Sequence, residues 1–202
     1  MNYPSFFNSI EPISLEDPLA DILGAFEEGR YSISYVEVVK GAGHSCPTVA
    51  GAYLMTQYAL KALYPNEPAI RGDIEVFFKE QLQEGVAGVI GNVVSYITGA
   101  TDKSGFKGLG GKFARHSLMH FESKIGSASA RFSSCSKNKS VDVFYDPSSI
   151  KPHPDMQPLM QLIMQNKATP EQKRQFGLLW QERVKNIFAH ADEVIRLQPV
   201  NS

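Results

Sequence analysis

Pro47 sets the strongest local constraint on this chain, because proline has no amide hydrogen and is at home in a helix only in its first turn. After it the sequence reads Thr48-Val49-Ala50-Gly51-Ala52-Tyr53-Leu54-Met55-Thr56-Gln57-Tyr58-Ala59-Leu60-Lys61-Ala62-Leu63, with no further proline until Pro65. This pattern predicts one buried or amphipathic helix over 48–63, stopped by Pro65 and Pro68. The residues before it, Gly41-Ala42-Gly43-His44-Ser45-Cys46, then form a loop at the helix N-terminus. Free amides and the helix dipole make such a position receptive to a thiolate or another anion.

The rest of the chain alternates between strand and helix signals. In the first residues, Asp17 is placed to cap a short helix with Pro18 at its first position, and Leu19, Ile22, Leu23 and Phe26 recur at the helical spacing that would dock it on the core. The β-branched and aromatic run over 31–39 predicts a strand, as does 70–79. Residues 85–98 place Gly85, Gly88 and Gly91 among Val and Ile, which predicts a tightly packed helix ending at Thr98-Gly99. The glycine-rich stretch over 99–112 carries Lys103, Lys107 and Lys112 but fits neither GxxxxGK[ST] nor GxGxxG. Strands over 113–124, 128–135 and 141–145 then predict a β-meander, followed by helices over 156–166 and 170–196. The last of these opens at Thr169-Pro170-Glu171-Gln172 and carries the stripe Phe176, Leu179, Trp180, Val184, Ile187 and Phe188. The expected organisation is an N-terminal helical arm (1–29), an α+β core with a mixed or antiparallel sheet packed with helices (30–150), and a C-terminal helical extension (151–202).

Charge narrows the function classes. Lys and Arg number 20 against 21 Asp and Glu, so there is no basic excess to bind nucleic acid or an anionic membrane surface. No apolar run is long enough to span a bilayer, and the N-terminus lacks a basic region followed by an apolar one. Two cysteines, Cys46 and Cys135, make no disulfide framework; one bridge between them is the alternative, and reduced thiols in the cytoplasm are the expectation.

His44 and Cys46 lead the chemistry. Imidazole nitrogen and thiolate sulfur suit zinc and other divalent transition metals, and the bland alternative is a small cysteine in a turn beside a capping histidine. His116 and His120 would chelate one ion on a helix. On a strand they stand about 13 Å apart at about 3.3 Å per residue, so only one of them would join His44 and Cys46. Cys135 is a distant fourth ligand candidate, whereas His153 and His190 read as solvated surface residues. There is no GxSxG, HExxH or CxxC.

Gly43-His44-Ser45-Cys46-Pro47 with its small-residue helix, then Ile97-Thr98-Gly99-Ala100-Thr101 and the glycine-rich loop to Gly111-Lys112, resemble the formylmethanofuran dehydrogenase E-subunit family over roughly 30–145. The resemblance implies an α+β core similar to the catalytic domain of glyceraldehyde-3-phosphate dehydrogenase, a homodimer, and a metal held by His44 and Cys46. Family members often carry glycine where this sequence has Thr48, and a Cys and an Asp where its helix offers Val89 and Asn92. Many also carry a cysteine-rich zinc ribbon where this sequence has its helical tail.

The leading expectation is therefore a metal-binding α+β protein with His44 and Cys46 as ligands and His116 or His120 completing the set. Zinc is the default ion, and an open coordination position would activate water or take a small ligand. A haem-like macrocycle with His44 or Cys46 as axial ligand is a variant. Two other readings stand beside it. One is a metal-free thiol enzyme with Cys46 as nucleophile and His44 or a strand histidine as base. The other is an accessory component of a redox enzyme, with a structural metal.

Overall fold

In a computed structural model, which describes residues 3–200, helix α3 (Pro47–Leu63) is the axis of the fold. Cys46 caps it from an extended conformation, its Sγ accepting the Val49 amide at 3.4 Å. Leu54, Met55, Leu60 and Leu63 are buried. Each such side chain contributes about 1.5–3 kcal/mol relative to exposure. Thr56 is buried as well, because its hydroxyl donates to the Ala52 carbonyl at 2.7 Å. Gly51 is required by close packing: a Cβ there would lie 2.2 Å from Cε1 of Tyr145.

Two mixed sheets flank this helix. The first orders β2 (Arg30–Ile33), β1 (Ile13–Glu16) and β3 (Ala69–Ile70), with β1 antiparallel to β2 and parallel to β3. The second orders β5 (Met119–His120), β4 (Ile74–Phe77), β6 (Ala130–Ser134), β7 (Lys139–Tyr145) and β8 (Ile195–Val200). Only the β4–β5 pair of this sheet is parallel. Its strands alternate in the expected way: Ile74, Val76, Ala130 and Phe132 enter the core, while Glu75, Phe77, Arg131 and Ser133 face outward. With helices α1 (Pro18–Ile22), α2 (Tyr35–Ala42), α4 (Ala87–Thr98), α5 (Met156–Met164), α6 (Pro170–Ala189) and α7 (Ala191–Val194), this is an α+β architecture. No helix among the described residues is long and apolar enough to cross a membrane.

Several local expectations hold. Asp17 caps α1, accepting the Leu19 amide at 2.9 Å with Pro18 in the first turn, although Ile22, Leu23 and Phe26 stay exposed because α1 ends after five residues and buries none of them. Thr169 and Gln172 form a capping box at the start of α6, and Gly99 ends α4 at φ +77°. Others need correction. The run over 31–39 is not one strand: β2 ends at Ile33, and Ser34 opens α2 through a capping box with Glu37. Most of 113–124 is loop, with only Met119–His120 paired. The last helix stops at Ala189, and after α7 the chain turns into β8, antiparallel to β7, so the tail completes the large sheet. On α6, Val184 and Ile187 are buried, whereas Phe176 and Leu179 are only half-buried.

A charged cluster ties the first sheet to the glycine-rich loop. The Asp17 carboxylate accepts from Arg115 at 2.6 Å and from Arg71 at 3.3 Å, with Asp17 and Arg115 both buried. Burial pushes the Arg115 guanidinium down from its ordinary range, and the Asp17 charge opposes that shift. Gly72 makes room for it, since a Cβ there would coincide with the Arg115 guanidinium.

Candidate ligand cleft at the His44 loop

Gly43 ends α2 in the left-handed conformation at φ +76°, its amide donating to the Val39 carbonyl. This reversal brings His44 back beside the last turn of α2. There His44 Nδ1 lies 3.0 Å from the Ala42 carbonyl oxygen. A carbonyl only accepts, so Nδ1 carries the proton, and in the neutral ring Nε2 is left with its lone pair. The exposed imidazole lines an open cleft of about 250 Å³ between α2 and α4. Val38, Gly41, Val89, Asn92 and Tyr96 share its walls.

The next two residues of the loop face the interior. Ser45 is buried, and its carbonyl accepts from Trp180 Nε1 at 3.0 Å and from Gln181 Nε2 at 3.1 Å, both on α6. Its hydroxyl pairs with the Tyr35 hydroxyl at 2.9 Å. Tyr145 donates to the Pro47 carbonyl at 2.7 Å. Burial pushes the phenols of Tyr35 and Tyr145 far above their ordinary range, so both keep their protons at neutral pH. Cys46, half-buried against the core, takes the Val49 amide and does not line the cleft.

The structure thus joins His44 to Val89 and Asn92 on α4, which lie far along the chain. His116 and His120 do not line this cleft. His116 is half-buried, with Nδ1 3.1 Å from the Ser117 hydroxyl. His120 stacks on Phe77 across the β4–β5 pair, and its Nε2 sits 3.7 Å from Glu75 with no hydrogen-bond partner. Cys135 is exposed after β6. Burial of its sulfur and the carboxylates of Glu75 and Asp73 push its thiol up, which disfavours the thiolate a metal needs. Among the described residues, no group of three or more His, Cys, Asp or Glu side chains is placed to hold an ion. A structural zinc takes four protein ligands and a catalytic one three, so the described residues, as placed, bring too few such ligands together for a bare zinc ion at this cleft.

Sequence reasoning missed the clamp on Ser45 from Trp180 and Gln181 and the cleft wall from α4. The signals were faint: one tryptophan on a tail helix, and exposed Val89 and Tyr96 on a helix otherwise read as buried.

Fold and site define an α+β protein with a single imidazole presented in an open, largely apolar cleft. The family model described as FmdE, Molybdenum formylmethanofuran dehydrogenase operon, matches residues 42–196, most of the chain including much of its tail. The chain belongs to the FmdE family. Among curated proteins nothing matches.

Proposed function

We propose that this is a ligand-binding protein whose site is the cleft between α2 and α4, with His44 as the residue that grips a metal-bearing or small-molecule ligand. One observation carries the reading: the Ala42 carbonyl fixes the His44 tautomer and leaves Nε2 free at a largely apolar cleft. Metal-binding histidines are held in this way, with the other ring nitrogen donating to a backbone carbonyl or carboxylate. The family description supports an accessory role beside a molybdenum enzyme. A homodimer in the cytoplasm is the arrangement proposed with it. A bare divalent ion such as zinc would need ligands beyond His44, from Cys46 after a loop movement or from a second copy.

The thiol-enzyme reading asks more of the geometry. His44 is engaged with Ala42 and turned to the cleft, and Cys46 is half-buried as a helix cap, so a nucleophile–base pair would need the loop to rearrange.

The test is elemental analysis with an absorption spectrum on untagged protein, wild type beside His44→Ala and Cys46→Ala. A metal or chromophore retained by wild type and lost in His44→Ala supports the reading. Equal retention in His44→Ala overturns it. Fast alkylation of Cys46 in protein free of metal, depending on His44, would favour the thiol enzyme instead.

A further inference from the structure

Resting on the cleft reading above, we infer that the ligand of His44 is a metal already held in a flat tetrapyrrole ring, with His44 Nε2 as its one protein ligand. Three observations converge. First, the cleft offers one nitrogen lone pair of the kind a transition metal prefers, that of His44. The Ala42 carbonyl holds the proton on Nδ1, and no three His, Cys, Asp or Glu side chains gather to hold an ion among the described residues. A bare ion is underligated there, whereas an iron in a macrocycle arrives with four ring nitrogens and needs one axial imidazole.

Second, the walls are mostly apolar, with Asn92 the polar exception beside His44 and Tyr96, and the space is open. At about 250 Å³ the cleft is smaller than the roughly 300–1,000 Å³ that encloses a drug-sized ligand, so it seats a face or an edge of something larger. Third, the apolar surface continues beyond it. Val89 and Tyr96 on α4, and Val86 at its N-cap, fall on one side of the helix and are 38%, 44% and 50% exposed. Positions 86 to 96 cover about 15 Å of helix at about 1.5 Å per residue. A flat apolar ring laid on this strip withdraws those side chains from water while its metal meets the imidazole. Binding then forms one nitrogen–metal bond, displaces no proton from His44, and leaves the Nδ1 hydrogen on the Ala42 carbonyl.

Gly41 supplies a control that leaves His44 untouched. It lies in α2 against the cleft, and a Cβ there would meet the Tyr96 ring at 4.0 Å, an ordinary contact. A leucine at 41 suits the helix and fills the cleft.

The experiment titrates iron(III) protoporphyrin IX into the full chain and follows the Soret band, with zinc chloride titrated in parallel by calorimetry. Wild type should bind one porphyrin per chain with a histidine-ligated spectrum. His44→Ala should lose that spectrum and weaken binding by about tenfold or more. Gly41→Leu should weaken binding while keeping wild-type circular dichroism, and Cys46→Ala should bind like wild type. Zinc bound tightly through His44 with no porphyrin uptake would overturn the tetrapyrrole and leave the cleft reading standing. Porphyrin uptake with the same spectrum and affinity in His44→Ala would overturn it too. No His44-dependent binding of either probe would overturn both.

Discussion

Replacing Gly51 by alanine pits two opposing effects against each other, and the structure decides between them. In a solvent-facing helix the change would stabilise by about 1 kcal/mol, because glycine carries the greater loss of backbone entropy. In α3 the new Cβ would stand 2.2 Å from Cε1, 2.4 Å from Cζ and 2.7 Å from Cδ1 of Tyr145. Those ring atoms cannot stay. Moving them breaks the bond from the Tyr145 hydroxyl to the Pro47 carbonyl, 2.7 Å long. Overpacking costs about 1–3 kcal/mol and the lost hydrogen bond about 1 kcal/mol. After the propensity gain the net loss is about 1–3 kcal/mol, or a melting temperature lower by about 3–10 °C in a chain of this size. Thermal unfolding followed by circular dichroism measures it. A double-mutant cycle locates the cause: in a Tyr145→Ala background, Gly51→Ala should be neutral or slightly stabilising. Because Tyr145 anchors the first turn of α3, Gly51→Ala should also speed alkylation of Cys46. An unchanged or raised melting temperature in Gly51→Ala, or equal effects in both backgrounds, would refute the packing argument.

Asp17 offers a second handle. Asp17→Asn leaves the buried Arg115 and the half-buried Arg71 facing each other without a counter-charge, and should cost about 3–5 kcal/mol in urea unfolding, where Arg30→Ala on the surface should cost almost nothing. Asp73 makes a prediction in pH. Burial pushes its carboxyl up, but hydrogen bonds from Ser134, Tyr64 and Ser136 outweigh that and hold it below the ordinary carboxylate range. A lowered folded value means its stabilisation is complete above the unfolded value, about 3.9, and is lost as pH falls through the folded one. Stability measured across that acid range should therefore fall less steeply in Asp73→Asn than in wild type, and parallel slopes would count against the assignment.

Local chemistry made the axis of this fold legible in the sequence. Pro47 marked the start of α3, Gly99 the end of α4, and Thr169 with Gln172 the start of α6, because each of these signals acts within a few residues. The misread stretch over 31–39 shows two local signals in conflict. Its β-branched and aromatic residues favour strand, yet Ser34 and Glu37 satisfy the orphan amides of a helix start reciprocally, and α2 forms from Tyr35. The single helix expected over 170–196 breaks at His190, resumes as α7 and gives way to strand from Ile195 for a tertiary reason: β8 gains a ladder on β7 that no helical periodicity announces. The cleft was hidden for the same reason. His44 could be singled out from its loop, but Val89 and Asn92 reach it only through the packing of α4 beside α2 and α3.

The geometry also separates the two residues that the motif sets side by side. His44 faces the cleft, while Cys46 spends its sulfur on the amide of Val49. Serine is among the best helix caps, and its oxygen makes the same bond at a shorter length, whereas alanine makes none. If capping is the whole role of Cys46, Cys46→Ser should equal or exceed wild-type stability and leave ligand binding unchanged. Cys46→Ala should then lose about 1 kcal/mol of stability and no binding. A thiolate that ligates or attacks predicts a different pairing, since serine at neutral pH keeps its proton and supplies neither soft sulfur nor comparable nucleophilicity. Cys46→Ser would then stay folded and stable yet fail in binding or reaction as completely as Cys46→Ala. Thermal stability and ligand affinity measured on the same two variants discriminate the cases, because the cap and the thiolate move the two readouts in opposite combinations. The structure favours the cap, since the Cys46 sulfur already has an amide partner and His44 reaches the cleft without it.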